Sequence, residues 1–132
     1  MTGVQTCALP ISRLGDACNL FGQPDDVARK VGVLRAACRA AGRDPSAIEV
    51  THLSTIHVLG PEVKARPGRA RVRSVEVNSG TIEDHRHRFE ALQAVGVDHA
   101  IVSLADLTDA DGGVAAIERF RPLVAAFANA HT

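Results

Sequence analysis

Few residues in this chain are types that do chemistry, and their spacing removes most of the familiar sites. His85 and His87 sit in the run Glu83-Asp84-His85-Arg86-His87-Arg88. Two residues apart on a helix, they point to different faces, unlike an i, i+4 ligand pair, and read as part of a solvated, charged first turn. Cys7, Cys18 and Cys38 show no Cys-x-x-Cys and no Cys/His ligand spacing, so no metal site is expected. The nucleophile elbow Gly-x-Ser-x-Gly, the phosphate loop and His-Glu-x-x-His are all missing. Five cations crowd Lys64–Arg73, but no glycine-rich amide cradle accompanies them, and solvated arginines are the expectation. Thr81 followed by Asp84 marks a helix start whose unpaired N–H groups are capped by side chains.

Composition narrows the classes further. The 132 residues carry 15 basic and 15 acidic side chains, a balance unlike the basic excess of a nucleic-acid or membrane-surface binder. Aromatic residues make up 3%, with four Phe and neither Tyr nor Trp, so no base-stacking platform is available. No apolar run approaches the ~18 residues of a membrane span. Three cysteines, an odd and small number, suit a reducing cytoplasm. Thirteen Arg against two Lys, with abundant Ala, read as the mark of a GC-rich genome.

Residues 1–12 (MTGVQTCALPIS) stand apart. They lack the basic and long apolar regions of a secretory signal. The string VQTCALPI resembles the conceptual translation of a sequencing-library adapter. The segment is therefore set aside as adapter-derived and disordered, and the gene is expected to continue upstream.

Residues 13–132 read as three strand–helix units. Asp16–Phe21 is a short strand closed by Gly22. From Pro24, the apolar positions Val27, Val31, Leu34, Cys38 and Ala41 recur at helical steps. Asp25 and Asp26 favour that helix's first turn, and Gly42 with Asp44-Pro45 ends it. Ile48–Leu59 is β-branched and reads as strand. Residues 62–79 form a long insertion with, at most, a short irregular strand around Val72–Val77. A second helix begins at Thr81, with Ile82, Phe89, Leu92 and Val95 inward. Ala100–Leu104 is a continuous apolar run, expected for a strand covered on both faces. A third helix carries Val114, Ile117, Phe120, Val124 and Phe127 on its inner stripe, kinked or split at Pro122. Strand–helix alternation implies parallel strands with right-handed crossovers. An open three-stranded α/β sheet would leave both edges bare, whereas a complete (β/α)8 barrel needs ~250 residues.

The runs GDACNLFGQPDDVARKVGVLRAACRAAGRDPSAIEVTHLS and SGTIEDHRHRFEALQAVGVDHAIVSL carry a resemblance. They resemble the C-terminal portion of luciferase-like monooxygenases, more narrowly the deazaflavin-dependent oxidoreductases (coenzyme F-420 type). The resemblance implies a partial TIM barrel made of the last three βα units. Its strands Asp16–Phe21, Ile48–Leu53 and Ala100–Leu104 would be the sixth, seventh and eighth. The glycine-rich segment that usually precedes the first of these, and all earlier strands, are not in this sequence. Arg86 departs from the pattern, standing where similar sequences carry an apolar residue.

In such a barrel the C-terminal strand ends face the site. That nominates Cys18 and Asn19, Thr51 and His52, Ser103 and Asp106. Asn19 would hydrogen-bond the ring edge or ribityl hydroxyl of a flavin, with Cys18 and Ser103 also on the cofactor side. Cys18 reads as a small apolar group, not a nucleophile. His52 would stand near the redox ring as a proton donor to substrate. The implied cofactor is a deazaflavin of F-420 type or FMN in the parent protein, with none bound by this chain alone. The implied partner is a small-molecule substrate, and bare strand edges would favour a homo-oligomer. The rival expectation is a small non-enzymatic α/β interaction module.

Overall fold

The computed structural model describes residues 3–60, 68–72, 75–105 and 112–128. In chain order the elements are α1 (Gly3–Leu14), β1 (Ala17–Leu20), α2 (Pro24–Ala40), β2 (Glu49–Val58), β3 (Gly68–Val72), β4 (Val75–Gly80), α3 (Ile82–Ala94), β5 (His99–Leu104) and α4 (Gly112–Ala128), with a 3-10 turn at Pro45–Ala47. Five strands form a mixed sheet in the order β1-β2-β4-β3, and β5 also pairs with β2. The β1–β2 and β2–β4 pairs are parallel and β3–β4 is antiparallel. The chain folds as two compact units, Met1–Leu53 with Glu90–Ile101, and Ser54–Phe89 with Val102–Thr132.

In the first unit, the two-residue period of a strand divides β1 into buried Cys18 and Leu20 and exposed Ala17 and Asn19. Helix α2 begins at Pro24, whose missing N–H costs nothing at a first position. Asp26 in its first turn pairs with Arg29 and Lys30, each at 2.7 Å, and these bonds hold its carboxyl below the ordinary value. Val27, Val31, Leu34 and Cys38 are buried as their spacing predicts, each aliphatic burial stabilising by roughly 1.5–3 kcal/mol. Ala41, expected on the same stripe, lies beyond the helix end and is exposed. Gly22, between β1 and α2, has φ +117°, and a Cβ there would stand 2.5 Å from Asp26 Oδ2. Arg43 reaches back to donate to the Gly15 carbonyl, tying the start of β1 to the end of α2. The opening segment, expected to be disordered, is helical from Gly3 to Leu14 and packs against α2, burying Ala8 and Ser12.

In the second unit, the described residues of the expected insertion loop at 62–79 are strand. Residues 68–72 and 75–80 form the β3–β4 hairpin, with Val77 and Asn78 of β4 registered on Thr55 and Ile56 of β2. The valines at 72, 75 and 77 supply β propensity, but pairing partners decide where a strand forms. Lys64, Arg66 and Arg73 lie outside the described residues. Helix α3 opens with the expected capping box. Asp84 accepts from the Thr81 N–H at 2.9 Å, and Thr81 Oγ1 accepts from the Asp84 N–H at 3.2 Å. Phe89 is buried, and its ring meets Phe127 of α4 edge-on at 6.3 Å.

Two expectations fail here. Helix α4 is not split at Pro122 but continues past it, and its buried positions are Ala116 and Leu123, with Phe120 and Phe127 half-buried. Val114, Ile117 and Val124 are instead 76%, 55% and 53% exposed. The helix carries two apolar stripes, and periodicity cannot say which one the sheet takes. Strand β5 was expected to be covered on both faces, yet its residues are exposed or half-buried throughout. Among the described residues β5 pairs only with β2, so apolar content alone does not bury it.

Replacing Gly22 with Ala forces a Cβ into left-handed backbone against Asp26. We expect a loss of about 1–3 kcal/mol in urea unfolding, whereas Thr81→Ala, which removes the α3 cap, should cost about 1 kcal/mol.

Candidate functional site

The register of β1 on β2 sets Asn19 beside Thr51. Thr51 Oγ1 donates to Asn19 Oδ1 at 2.9 Å, so the exposed Asn19 amide keeps its two N–H donors for a ligand or water. Along the same face of β2 lie exposed Glu49 and half-buried Leu53. Glu49 stands 3.7 Å from His99 of β5, and Ile101, two residues on, is 45% exposed. Asp98 locks this strand pair from both sides: its N–H donates to the Val50 carbonyl at 2.8 Å, and its Oδ2 accepts the Val50 N–H at 2.9 Å. The first unit thus presents an amide–hydroxyl pair on a face with open aliphatic side chains.

The nominated residues do not all share that face. Ser103 is exposed on β5, on the same side of that strand as His99 and Ile101. Asp106 lies outside the described residues. Cys18 and His52 fall on the opposite face, 7% and 1% exposed. They alternate with Asn19 and Thr51, and the parity of the strand sends them into the core with the inner face of α2. His52 Nε2 is 2.9 Å from the Gly22 carbonyl. A carbonyl only accepts, so Nε2 carries the proton, and the ring holds the turn between β1 and α2. The structure therefore places His52 and Cys18 on the buried face of the sheet, opposite Asn19 and Thr51.

A second polar cluster, in the second unit, was not expected. His85 is 2% exposed and its Nε2 donates to the His57 carbonyl at 3.1 Å. Burial pushes its pKa below the ordinary value, Arg88 adds to that, and Asp84 opposes it. Arg88 Nη1 donates to Ser54 Oγ, itself buried, at 3.0 Å. Burial lowers the pKa of the guanidinium as well. The reading of His85 as solvated is thus corrected. The signal was in the spacing: His85, Phe89 and Leu92, four and three apart, make one helical stripe. His87 does face solvent, 3.2 Å from Glu83. Arg86, expected to disturb packing, is half-buried and grips the same Glu83 with its guanidinium, which holds that carboxyl below its ordinary value.

The sign of the His85 effect follows from linkage. The unfolded chain takes up a proton near the ordinary 6.5 and the folded chain only at lower pH, so His85 contributes stability above 6.5 that is lost as pH falls toward the depressed value. Urea midpoints should fall between pH 7.5 and 5.5, and His85→Gln, which cannot charge, should flatten that fall.

Neither a family model nor a curated protein matches this sequence. Solved structures do. An F420-dependent secondary alcohol dehydrogenase in complex with an F420-acetone adduct matches with a TM-score of 0.66 over 92% of this chain and 46% of its own, at 15% identity. A riboflavin lyase with modified FMN and riboflavin matches with a TM-score of 0.63 over 96% of this chain and 41% of its own, also at 15% identity. The chain thus has an α/β fold with a mostly parallel sheet, similar to part of these flavin- and deazaflavin-related enzymes. It spans less than half the length of either.

Proposed function

We propose that this chain is the closing arc of a (β/α)8 barrel of the luciferase-like class, with β1, β2 and β5 as the sixth, seventh and eighth strands. The parent protein is then a cytoplasmic oxidoreductase that moves a hydride between a deazaflavin of F-420 type, or FMN, and a small organic substrate. The observation that carries this reading is the match over 92% of the chain to under half of a deazaflavin-dependent dehydrogenase. The residues fit such a group. A neutral amide and hydroxyl at Asn19 and Thr51 complement the carbonyl and imide edge of a flavin-type ring, and Leu53 and Ile101 offer apolar surface.

When bound, the cofactor supplies the redox chemistry, and the protein binds, orients and shields it. Asn19 would donate to a ring carbonyl or ribityl hydroxyl, and Thr51 fixes the Asn19 side chain through its own O–H. His52 acts from the core as a positioning residue, holding through Gly22 the turn that follows Asn19. The charge balance gives no footing for nucleic acid or an anionic membrane surface, and among the described residues no helix is long and apolar enough to cross a membrane.

Alone, this chain should be inactive. The strands nearest the proposed site are open, and catalysis by a bound flavin requires exclusion of water. Titration of the 132 residues with FMN and with a deazaflavin should show neither stoichiometric binding nor hydride transfer. Tight binding with turnover would contradict this. Genomic DNA upstream of Arg13 provides the second arm: further in-frame βα repeats support the barrel arc. A stop and start codon close to Leu14 overturns it in favour of a whole α/β interaction module, the reading that the exposed apolar stripe of α4 otherwise favours.

A further inference from the structure

Helix α4 has a face that the described residues leave uncovered. Val114, Ile117, Arg121, Val124 and Ala128 follow one another at steps of three, four, three and four. That is the a/d seam of a coiled coil, offset from the buried stripe through Ala116 and Leu123. Val114, Ile117 and Val124 are more than half exposed, and Arg121 and Ala128 are exposed. Beside the seam, Glu118 Oε2 lies 3.6 Å from Arg121 Nη1, both side chains well exposed.

We propose that this seam pairs with the same seam of a second copy of the chain, the two α4 helices antiparallel about a two-fold axis. Self-complementarity argues for that occupant. With the helices reversed, Val114 of one copy faces Val124 of the other, and Ile117 packs on the aliphatic stem of Arg121. The Arg121 guanidinium then comes beside Glu118 of the other copy, so that each copy offers an acid and a base to the same pair on its mate. A parallel pairing would instead set Arg121 against Arg121 in the seam. Three aliphatic side chains and one Ala per copy fall short of the ~800 Å² per partner of a standard interface, so the dimer is weak and concentration-dependent. The inference is independent of flavin binding.

Sedimentation equilibrium tests it. The weight-average mass should climb from one copy toward two between roughly 10 μM and 1 mM, the range of weak association. Ile117→Asp, an exposed change, should hold the mass at one copy. Glu118→Arg and Arg121→Glu should each weaken pairing severalfold, and the double exchange should restore it. Mixed Val114→Cys and Val124→Cys chains should form a disulfide-linked pair on oxidation, beyond the wild-type background and beyond either variant alone. A mass independent of concentration overturns the proposal. So does self-linking of Val114→Cys, which marks a parallel pair, or a dimer that survives Ile117→Asp and is lost in Ile101→Lys, which marks association through β5.

Discussion

The structure depends most on the alternation of β2. Val50, His52, Ser54, Ile56 and Val58 are all buried, and the residues between them are exposed or half-buried. This strand pairs with β1, β4 and β5, so its register sets theirs. A slip by one residue would turn every core side chain outward and carry Thr51 into the core, which is why register is strongly specified wherever one face is apolar. The Asp98–Val50 and Thr51–Asn19 bonds follow from that register.

Burying His52 and Ser54 within such a strand is tolerated only because each finds a partner. An unmet buried polar group costs about 1–3 kcal/mol. His52 binds the Gly22 carbonyl, and Ser54 receives the Arg88 guanidinium. In the second unit His85 likewise reaches the His57 carbonyl. These bonds run from side chains on regular elements to turns, strands and helices distant in sequence. They convert what looks like reactive chemistry into positional constraint. Two of the histidines are therefore held by backbone carbonyls, while the neutral pair Asn19–Thr51 stays on the open face of the first unit.

Much of the fold was legible. The helix beginning at Pro24, its buried stripe through Cys38, the Thr81–Asp84 cap and the long strand at residues 49–58 all follow from local signals: Pro and acids at a helix start, a 3.6-residue period, and β-branched runs. The expected order of strand and helix also stands, apart from the hairpin at 68–80 and the helix at 3–14. The site was less legible. Residues at strand ends could be nominated, but Cys18 and Asn19 are adjacent, as are Thr51 and His52, and one member of each pair must face away from the other.

The sequence by itself determined most of the segments that become helices and strands, the helix at 3–14 and the hairpin at 68–80 apart, because capping, periodicity and propensity act over a few residues. Only the tertiary structure decided which face of each element is inside. It turned His52 and Cys18 to the core and left Asn19 and Ser103 open. It also buried His85 on an apolar stripe, and chose Ala116 and Leu123 over Val114 and Ile117 on α4. Those choices depend on partners far along the chain: strand register and helix packing select between faces that local hydrophobicity makes nearly equivalent.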